Sequence, residues 1–196
     1  MNNFKLLLLG LCVMMCACST QTSTRQTNEY GTNWQWEKGT IVVETPERPA
    51  GQKSVLGLTT PKLEAVRVGF VGLGMRGPGA VERFTYIPGT QVVALCDYEE
   101  ARADKCQELL KKASMPKAAV YSGDKGYEEL CKRDDIDLVY IAADWLHHFP
   151  VAKCALENGK NVAIEVPSAM NLQECWDLIN LSESTRKHCF ILENCC

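Results

Sequence analysis

Val66-Arg67-Val68-Gly69-Phe70-Val71-Gly72-Leu73-Gly74-Met75-Arg76-Gly77 decides how the rest of this sequence is read. Residues 66–71 are a short apolar run, the pattern of a strand buried on both faces. Gly72, Gly74 and Gly77 follow in GxGxxG spacing, and a helix starts at once, with Pro78 in its first turn and Val81, Phe84 and Ile87 along one side. In a strand–turn–helix unit each glycine has a separate task. Gly72 permits the tight turn, Gly74 lets the backbone approach a pyrophosphate, and Gly77 lets helix and strand pack closely. The free amides at the helix start then receive the phosphate charge. A lone GxGxxG is weak evidence, but this one has the required flanks. Asp97 lies 20 residues past Gly77, ending the next strand-like run from Gln91. Its carboxylate can accept hydrogen bonds from both ribose hydroxyls and repel a 2′-phosphate, so the expected cofactor is NAD rather than NADP. Met75 and Arg76 fall in the same turn. Arg76 is a solvated helix charge or, beside the phosphates, the expected cofactor contact. The competing account of the whole motif is a tight turn followed by a helix-capping Asp.

Strand and helix alternate from 66 to 196. Cys106, Leu109, Leu110 and Ala113 repeat at helical spacing. A short strand near 118–121 precedes a helix at 127–132, and residues 137–142 form the fourth strand. Pro150 opens the next helix and Gly159 closes it. Residues 161–166 are the fifth strand. Asn171 with Glu174 resembles a capping box, Leu172, Cys175, Trp176 and Ile179 give that helix its buried stripe, and Cys189 begins a sixth strand. Short connections force parallel pairing with right-handed crossovers. The fold class is α/β, a doubly wound parallel sheet of the Rossmann type.

The N-terminal part differs in kind. Lys5 precedes an apolar stretch, Leu6 to Met15, of signal-peptide length and too short to span a bilayer. Residues 1–17 resemble a bacterial lipoprotein signal, and Cys18, preceded by the small Ala17, is the expected acylated residue, carrying a palmitate-type anchor to the cell envelope, the outer membrane in particular. Cys16 and a plain secretory signal are the alternatives. Residues 18–65 read as a tether rich in Ser, Thr, Gln and Asn, then an irregular arm with Pro46, Pro49 and Pro61 on which Trp34 and Trp36 pack. The formal net charge of −3, with no basic block, gives no footprint for nucleic acid. Of 11 cysteines three lie in the signal, while Cys96, Cys106, Cys131, Cys154 and Cys175 read as small buried hydrophobes. No CxxC pair exists, so no metal site is expected.

In such sheets the ligand lies at the carboxyl ends of the strands. The fourth strand runs into Asp144-Trp145-Leu146-His147-His148-Phe149-Pro150, the fifth into Glu165-Val166-Pro167 and the sixth into Glu193-Asn194. These ends are expected to line the nicotinamide half of the crevice. Trp145 is a pocket wall or a core aromatic, and His148 a cofactor contact or a helix cap. His147 is a contact or a surface residue, and Glu165 a ribose contact or a structural carboxylate.

These segments resemble the Gfo/Idh/MocA oxidoreductases, which carry a histidine before the helix after the fourth strand and Glu-Lys-Pro at the end of the fifth. His148 matches the first, with Ala-Leu-Glu-Asn-Gly-Lys-Asn-Val following at the family spacing, and Glu165 and Pro167 match the second. Asn194 resembles the family's cofactor contact at the sixth strand. Ala143-Asp144-Trp145 departs from the family's Thr-Pro-Asn, and Val166 replaces the lysine at the hydride-transfer site. A valine neither donates nor accepts a proton, so the customary acid-base group is missing. With Gly-Leu-Gly-Met-Arg-Gly, the Trp…His-His segment, Glu-Val-Pro-Ser-Ala and Ile-Leu-Glu-Asn-Cys-Cys, the chain looks like glycoside hydrolase family 109. That resemblance implies an NAD-dependent α-N-acetylgalactosaminidase with a glycoside as its substrate partner. It implies cofactor contacts at Gly72, Gly74, Met75, Arg76, Gly77, Asp97, Trp145, Leu146, His147, His148, Glu165, Val166 and Asn194. Most of the α+β substrate domain is expected beyond residue 196, and with it the proton-transferring residues, so no catalytic base is named among these residues. The alternatives are an exported NAD-dependent sugar dehydrogenase and a non-catalytic dinucleotide-binding fragment. Assembly into a homo-oligomer is left open. The anchor is directly testable: Cys18→Ala should release the protein from membranes and abolish lipid labelling, whereas unchanged labelling would move the site to Cys16 or remove it.

Overall fold

The computed structural model describes residues 26–27, 33–44 and 46–193. They belong to two compact units, divided along the chain between residues 45 and 46. The first is a small antiparallel sheet of β1 (Gln26–Thr27), β2 (Asn33–Glu37) and β3 (Thr40–Val43). Lys38 and Gly39, both at positive φ, make the two-residue turn between β2 and β3, the mirror-image turn that matches strand twist. Part of the stretch expected to be irregular is therefore a hairpin, and Trp34 and Trp36 share one face of β2 at the strand period of two.

The second unit holds a six-stranded sheet. Its elements are β4 (Val66–Val71), α1 (Gly77–Phe84), β5 (Thr90–Asp97), α2 (Glu100–Lys112), β6 (Ala119–Ser122), α3 (Gly126–Cys131), β7 (Leu138–Ile141), α4 (Trp145–Glu157), β8 (Asn161–Ile164), α5 (Leu172–Thr185) and β9 (Cys189–Ile191). The strand order is β6-β5-β4-β7-β8-β9, with every pairing parallel. This is the doubly wound Rossmann-type arrangement the alternation implied. The strands bury both faces, so two cores form. Val68 and Phe70 of β4 pack with Ala80 and Val81 of α1 and Cys106 and Leu110 of α2. Val71 joins the opposite core, with Leu130 of α3, Val151 and Ala155 of α4 and Leu178 of α5. Phe70, Phe84 and Tyr140 add an aromatic cluster with ring centroids 5.1–5.7 Å apart. No described helix is long and apolar enough to cross a membrane.

Three helices differ from the sequence pattern, each for a physical reason. α4 begins at Trp145, five residues before Pro150, because the Asp144 side chain accepts the Leu146 amide at 3.0 Å and caps the helix. Pro150 lies inside it. α2 buries Ala103, Cys106 and Leu110, while Ala113 is its exposed C-cap. α5 has the expected cap, Asn171 Oδ1 accepting the Glu174 amide at 3.0 Å, but Cys175 and Ile179 are exposed and Ser182 and Glu183 are buried. The arm explains this. Arg48 donates to Glu183 from Nε and Nη2 at 2.8 and 3.0 Å, Gln52 donates to Asn180 and Glu183, and Arg186 donates to the carbonyls of Lys53 and Ser54. The arm thus covers the polar side of α5. Cys96, Cys106 and Cys131 are buried as expected, Cys154 is half-buried, and Cys175 is not buried.

At the amino ends of the strands Arg67 closes the sheet. It donates to Asp137 from its amide and Nε (both 2.9 Å to Oδ2) and from Nη2 (2.7 Å to Oδ1). The Arg67 side-chain bonds hold the Asp137 carboxyl below its usual range against the opposing effect of burial. A lowered carboxylate stabilises the fold fully above its ordinary value, and that contribution is lost as pH falls through the folded one. Asp137→Ala should therefore cost about 1–2 kcal/mol at neutral pH, the lower part of the range for charge-assisted bonds because Arg67 is partly exposed. The deficit should shrink as the pH of urea melts is lowered through the folded-state titration of Asp137; a deficit that does not change between neutral and strongly acidic pH would refute the assignment.

Candidate dinucleotide site

A cleft of about 560 Å³ opens at the carboxyl ends of β4, β5, β7 and β8. One hydrogen bond past each strand end shapes its floor: Gly72 N donates to Cys96 O (2.9 Å), Ala142 N to Val71 O (2.8 Å) and Glu165 N to Ile141 O (2.9 Å). The β4–α1 turn has no room for side chains at two positions. Gly72 sits at φ +90°, and a Cβ there would overlap the backbone of Ala142 and Ala143. A Cβ on Gly77 would overlap the Gly72 carbonyl. Gly74 differs: only Arg102 Nη1, at 3.6 Å, would come near its Cβ, and the remaining space is open to the cleft. A turn closed against the protein at two glycines and open at the third suits an approaching diphosphate, so the residues fit a bound dinucleotide.

Asp97 ends β5 with 5% exposure. Its Oδ2 accepts the Leu73 amide at 2.6 Å, and its Oδ1 accepts the Glu99 amide at 3.0 Å and Arg102 Nη1 at 3.3 Å. These bonds compensate a charge that burial alone would disfavour. Cys96 beside it forms part of the wall, its thiol pushed up to about 12 by burial and then by the Asp97 charge. It is an inert thiol at neutral pH.

On the other half, Asp144 accepts at the start of α4 and lies 2.6 Å from His147 Nδ1, while His147 Nε2 lies 3.5 Å from Asp124. Burial pushes the Asp144 carboxyl up, but the bond and charge of His147 with the Leu146 and His147 amides hold it below its usual range. His148 is 1% exposed, with Nδ1 2.7 Å from the Pro167 carbonyl and Nε2 3.0 Å from the Ala143 carbonyl. Both partners are acceptors, and a neutral ring donates from one nitrogen only. One of the two contacts is therefore a donated hydrogen bond, and the ring sits between the β7–α4 connection and the segment after β8, where Val166-Pro167 is cis. Tyr140 Oη donates to Glu165 Oε1 at 2.9 Å. Burial and then the Glu165 carboxylate push that phenol up to about 12, so it remains a donor and orients Glu165.

Gly72, Gly74, Met75, Arg76, Asp97, Trp145, His147, His148, Glu165 and Val166 all line the cleft. Gly77 lies buried beneath it. Leu146 is 74% exposed and does not line it. Asn194 and Cys18 lie outside the described residues. Val166, 40% exposed, puts an apolar wall where the family lysine was expected. Arg102, Tyr98, Asp124 and Tyr127 also line the cleft and were not read from the sequence. Arg102 left one faint signal, a cation in the first turn after the acidic strand end; Tyr98 and Asp124 come from the β5–α2 and β6–α3 connections and Tyr127 from the first turn of α3, none of which carries a motif. Among the described residues no group of three His, Cys, Asp or Glu could hold a metal ion.

The three glycines should separate by experiment. Gly74→Ala should leave stability within about 0.5 kcal/mol and weaken dinucleotide binding about ten-fold or more. Gly72→Ala and Gly77→Ala should each destabilise by roughly 3 kcal/mol or more, since backbone must move. Thermal melts beside binding titrations check both; a Gly74→Ala protein that binds normally would contradict the open-loop geometry.

Residues 66–192 match the family described as "Oxidoreductase family, NAD-binding Rossmann fold", GFO_IDH_MocA. The chain is 80% identical to glycosyl hydrolase family 109 protein 5 of Phocaeicola vulgatus, an alignment covering 100% of this chain and 38% of that protein. It therefore spans well under half of that relative's length. Among solved structures, biliverdin reductase of Synechocystis, in complex with biliverdin and NADP+, is 27% identical with a TM-score of 0.55, covering 64% of this chain and 37% of that one. Myo-inositol dehydrogenase of Lactobacillus casei, in complex with NAD(H) and myo-inositol, is 24% identical with a TM-score of 0.58, covering 65% and 36%, a likeness of fold. With the glycine turn, the buried strand-end carboxylate and the parallel sheet in place, the chain belongs to the Gfo/Idh/MocA oxidoreductase family, of which it carries the NAD-binding Rossmann fold.

Proposed function

We propose that the full-length protein is a glycosidase that removes terminal α-linked N-acetylgalactosamine with the help of bound NAD, and that this chain supplies the dinucleotide half of its site. The observation that carries the reading is Val166, an apolar wall in the crevice of an oxidoreductase fold where acid-base chemistry was expected. The names of the relatives support hydrolysis. NAD, when bound, supplies reversible hydride acceptance at a sugar carbon, which acidifies the neighbouring C–H, permits elimination and re-addition of water, and is reset in each turnover. The β4–α1 turn and Arg76 hold the diphosphate, Asp97 the adenosine ribose, and Glu165, oriented by Tyr140, the second ribose. Trp145, His147 and Val166 would bound the far end, and Val166 moves no proton. The proton-transferring groups belong to the part of the protein beyond these residues. Export with a lipid on Cys18 completes the proposal.

Hydrolase and dehydrogenase differ in what accumulates. The full-length protein should release sugar from an α-N-acetylgalactosaminide with no net NADH, and should exchange the sugar's C2 proton with deuterated solvent. Val166→Lys should not improve hydrolysis. Steady NADH production with the glycosidic bond intact would instead establish a sugar dehydrogenase.

A further inference from the structure

Asp97 is the expected ribose ligand, yet its hydrogen-bonding capacity is mostly spent. An ionised carboxylate has about four lone-pair sites, two on each oxygen. Oδ2 uses one on the Leu73 amide, and Oδ1 uses both, on the Glu99 amide and on Arg102 Nη1. A ribose diol that binds both oxygens needs one site on each, so one existing bond to Oδ1 must be released. The Glu99 amide is fixed at the start of α2. The Arg102 bond, at 3.3 Å, is the longest of the three and belongs to a half-exposed side chain. Arg102 also has a second anchor, Glu99 Oε1 at 2.9 Å from its Nη2. Its guanidinium therefore has somewhere to go, and it reaches from the ribose carboxylate to the edge of the open Gly74 loop.

We propose that Arg102 is a specificity-determining residue of the dinucleotide site, competing with the ribose diol for Asp97 Oδ1 and offering its cation to a 2′-phosphate when one is present. A guanidinium matches phosphate geometry with two donors. The consequence is a site that prefers NAD but rejects NADP less than Asp97 alone would. Glu99 sets the balance, because it draws the cation away from the ribose edge. This inference rests on the dinucleotide reading above but not on the glycosidase reading.

The test is calorimetric titration of the full-length, cofactor-stripped protein with NAD+ and NADP+ separately, with a thermal melt to check folding. Arg102→Ala should bind NAD as tightly as the parent or tighter and NADP about ten-fold more weakly, raising the preference about ten-fold or more. Glu99→Gln should move the preference the opposite way by freeing the cation, and it tests the same point should Arg102→Ala fold poorly. A preference unchanged within about two-fold in both variants, equal weakening of both dinucleotides by Arg102→Ala, or no detectable NADP binding by the parent would each overturn the proposal. A parent that binds neither dinucleotide would overturn the dinucleotide reading itself and this proposal with it, whereas NAD binding with an unmoved preference removes Arg102 alone.

Discussion

The crevice depends on a steric exclusion at the first sheet-to-helix turn. Gly72 at φ +90° lies against the backbone of Ala142 and Ala143, and Gly77 lies against the Gly72 carbonyl. Two backbone segments from different crossovers are thereby brought to van der Waals contact with nothing between them. That contact fixes where α1 points and puts the ends of β4 and β7 side by side. It also leaves Gly74 facing open space. Core packing on both faces of the sheet supports the arrangement, but apolar burial is non-directional and would not by itself select this turn.

Around that turn, charge is arranged by backbone as much as by side chains. Asp97 is held by two amides before any cation reaches it, and Asp144 takes the amide of Leu146 at the start of α4. His148 works in the reverse sense, its ring set between two carbonyls from separate connections and donating to one of them. Such bonds are short-range and directional, and they make the cleft walls rigid where loops would otherwise be mobile. A side chain used in this way is poorly free to act on a ligand directly, which distinguishes His148 from the more open His147.

The sheet was legible because period and punctuation agree: apolar runs of strand length alternate with helical repeats, and the glycine turn follows the first run at once. The glycine turn and the strand ends then named about half of the cleft lining in advance. What escaped was set by tertiary partners. Pro150 marks a helix start by local rules, but Asp144 caps earlier and the proline is carried inside. The buried face of α5 follows the arm that crosses it, with Arg48 and Gln52 meeting a helix more than 120 residues away, and no window of the helix sequence contains that information. Arg102 escaped for a related reason, its meaning depending on the lone pairs left on Asp97. The β2–β3 hairpin was overlooked because Lys38-Gly39 is a less familiar turn pair than Asn-Gly, although Trp34 and Trp36 already alternate.

The strand order carries a consequence for how the sheet assembles. β4, β5 and β6 pair in sequence, as do β7, β8 and β9, so each half of the sheet is built from successive crossovers. Only the β4–β7 seam joins distant chain, and the Arg67–Asp137 fork that closes its far end spans 70 residues. Loop-closure entropy rises slowly with length, but non-local pairings must meet it before their contacts form. The seam is therefore the junction with the most chain to order, and the crevice lies directly over its carboxyl end. A dinucleotide lying across it would touch the glycine turn and Asp97 on one half and Glu165 on the other, adding its binding free energy to the native state at the line where the two halves join.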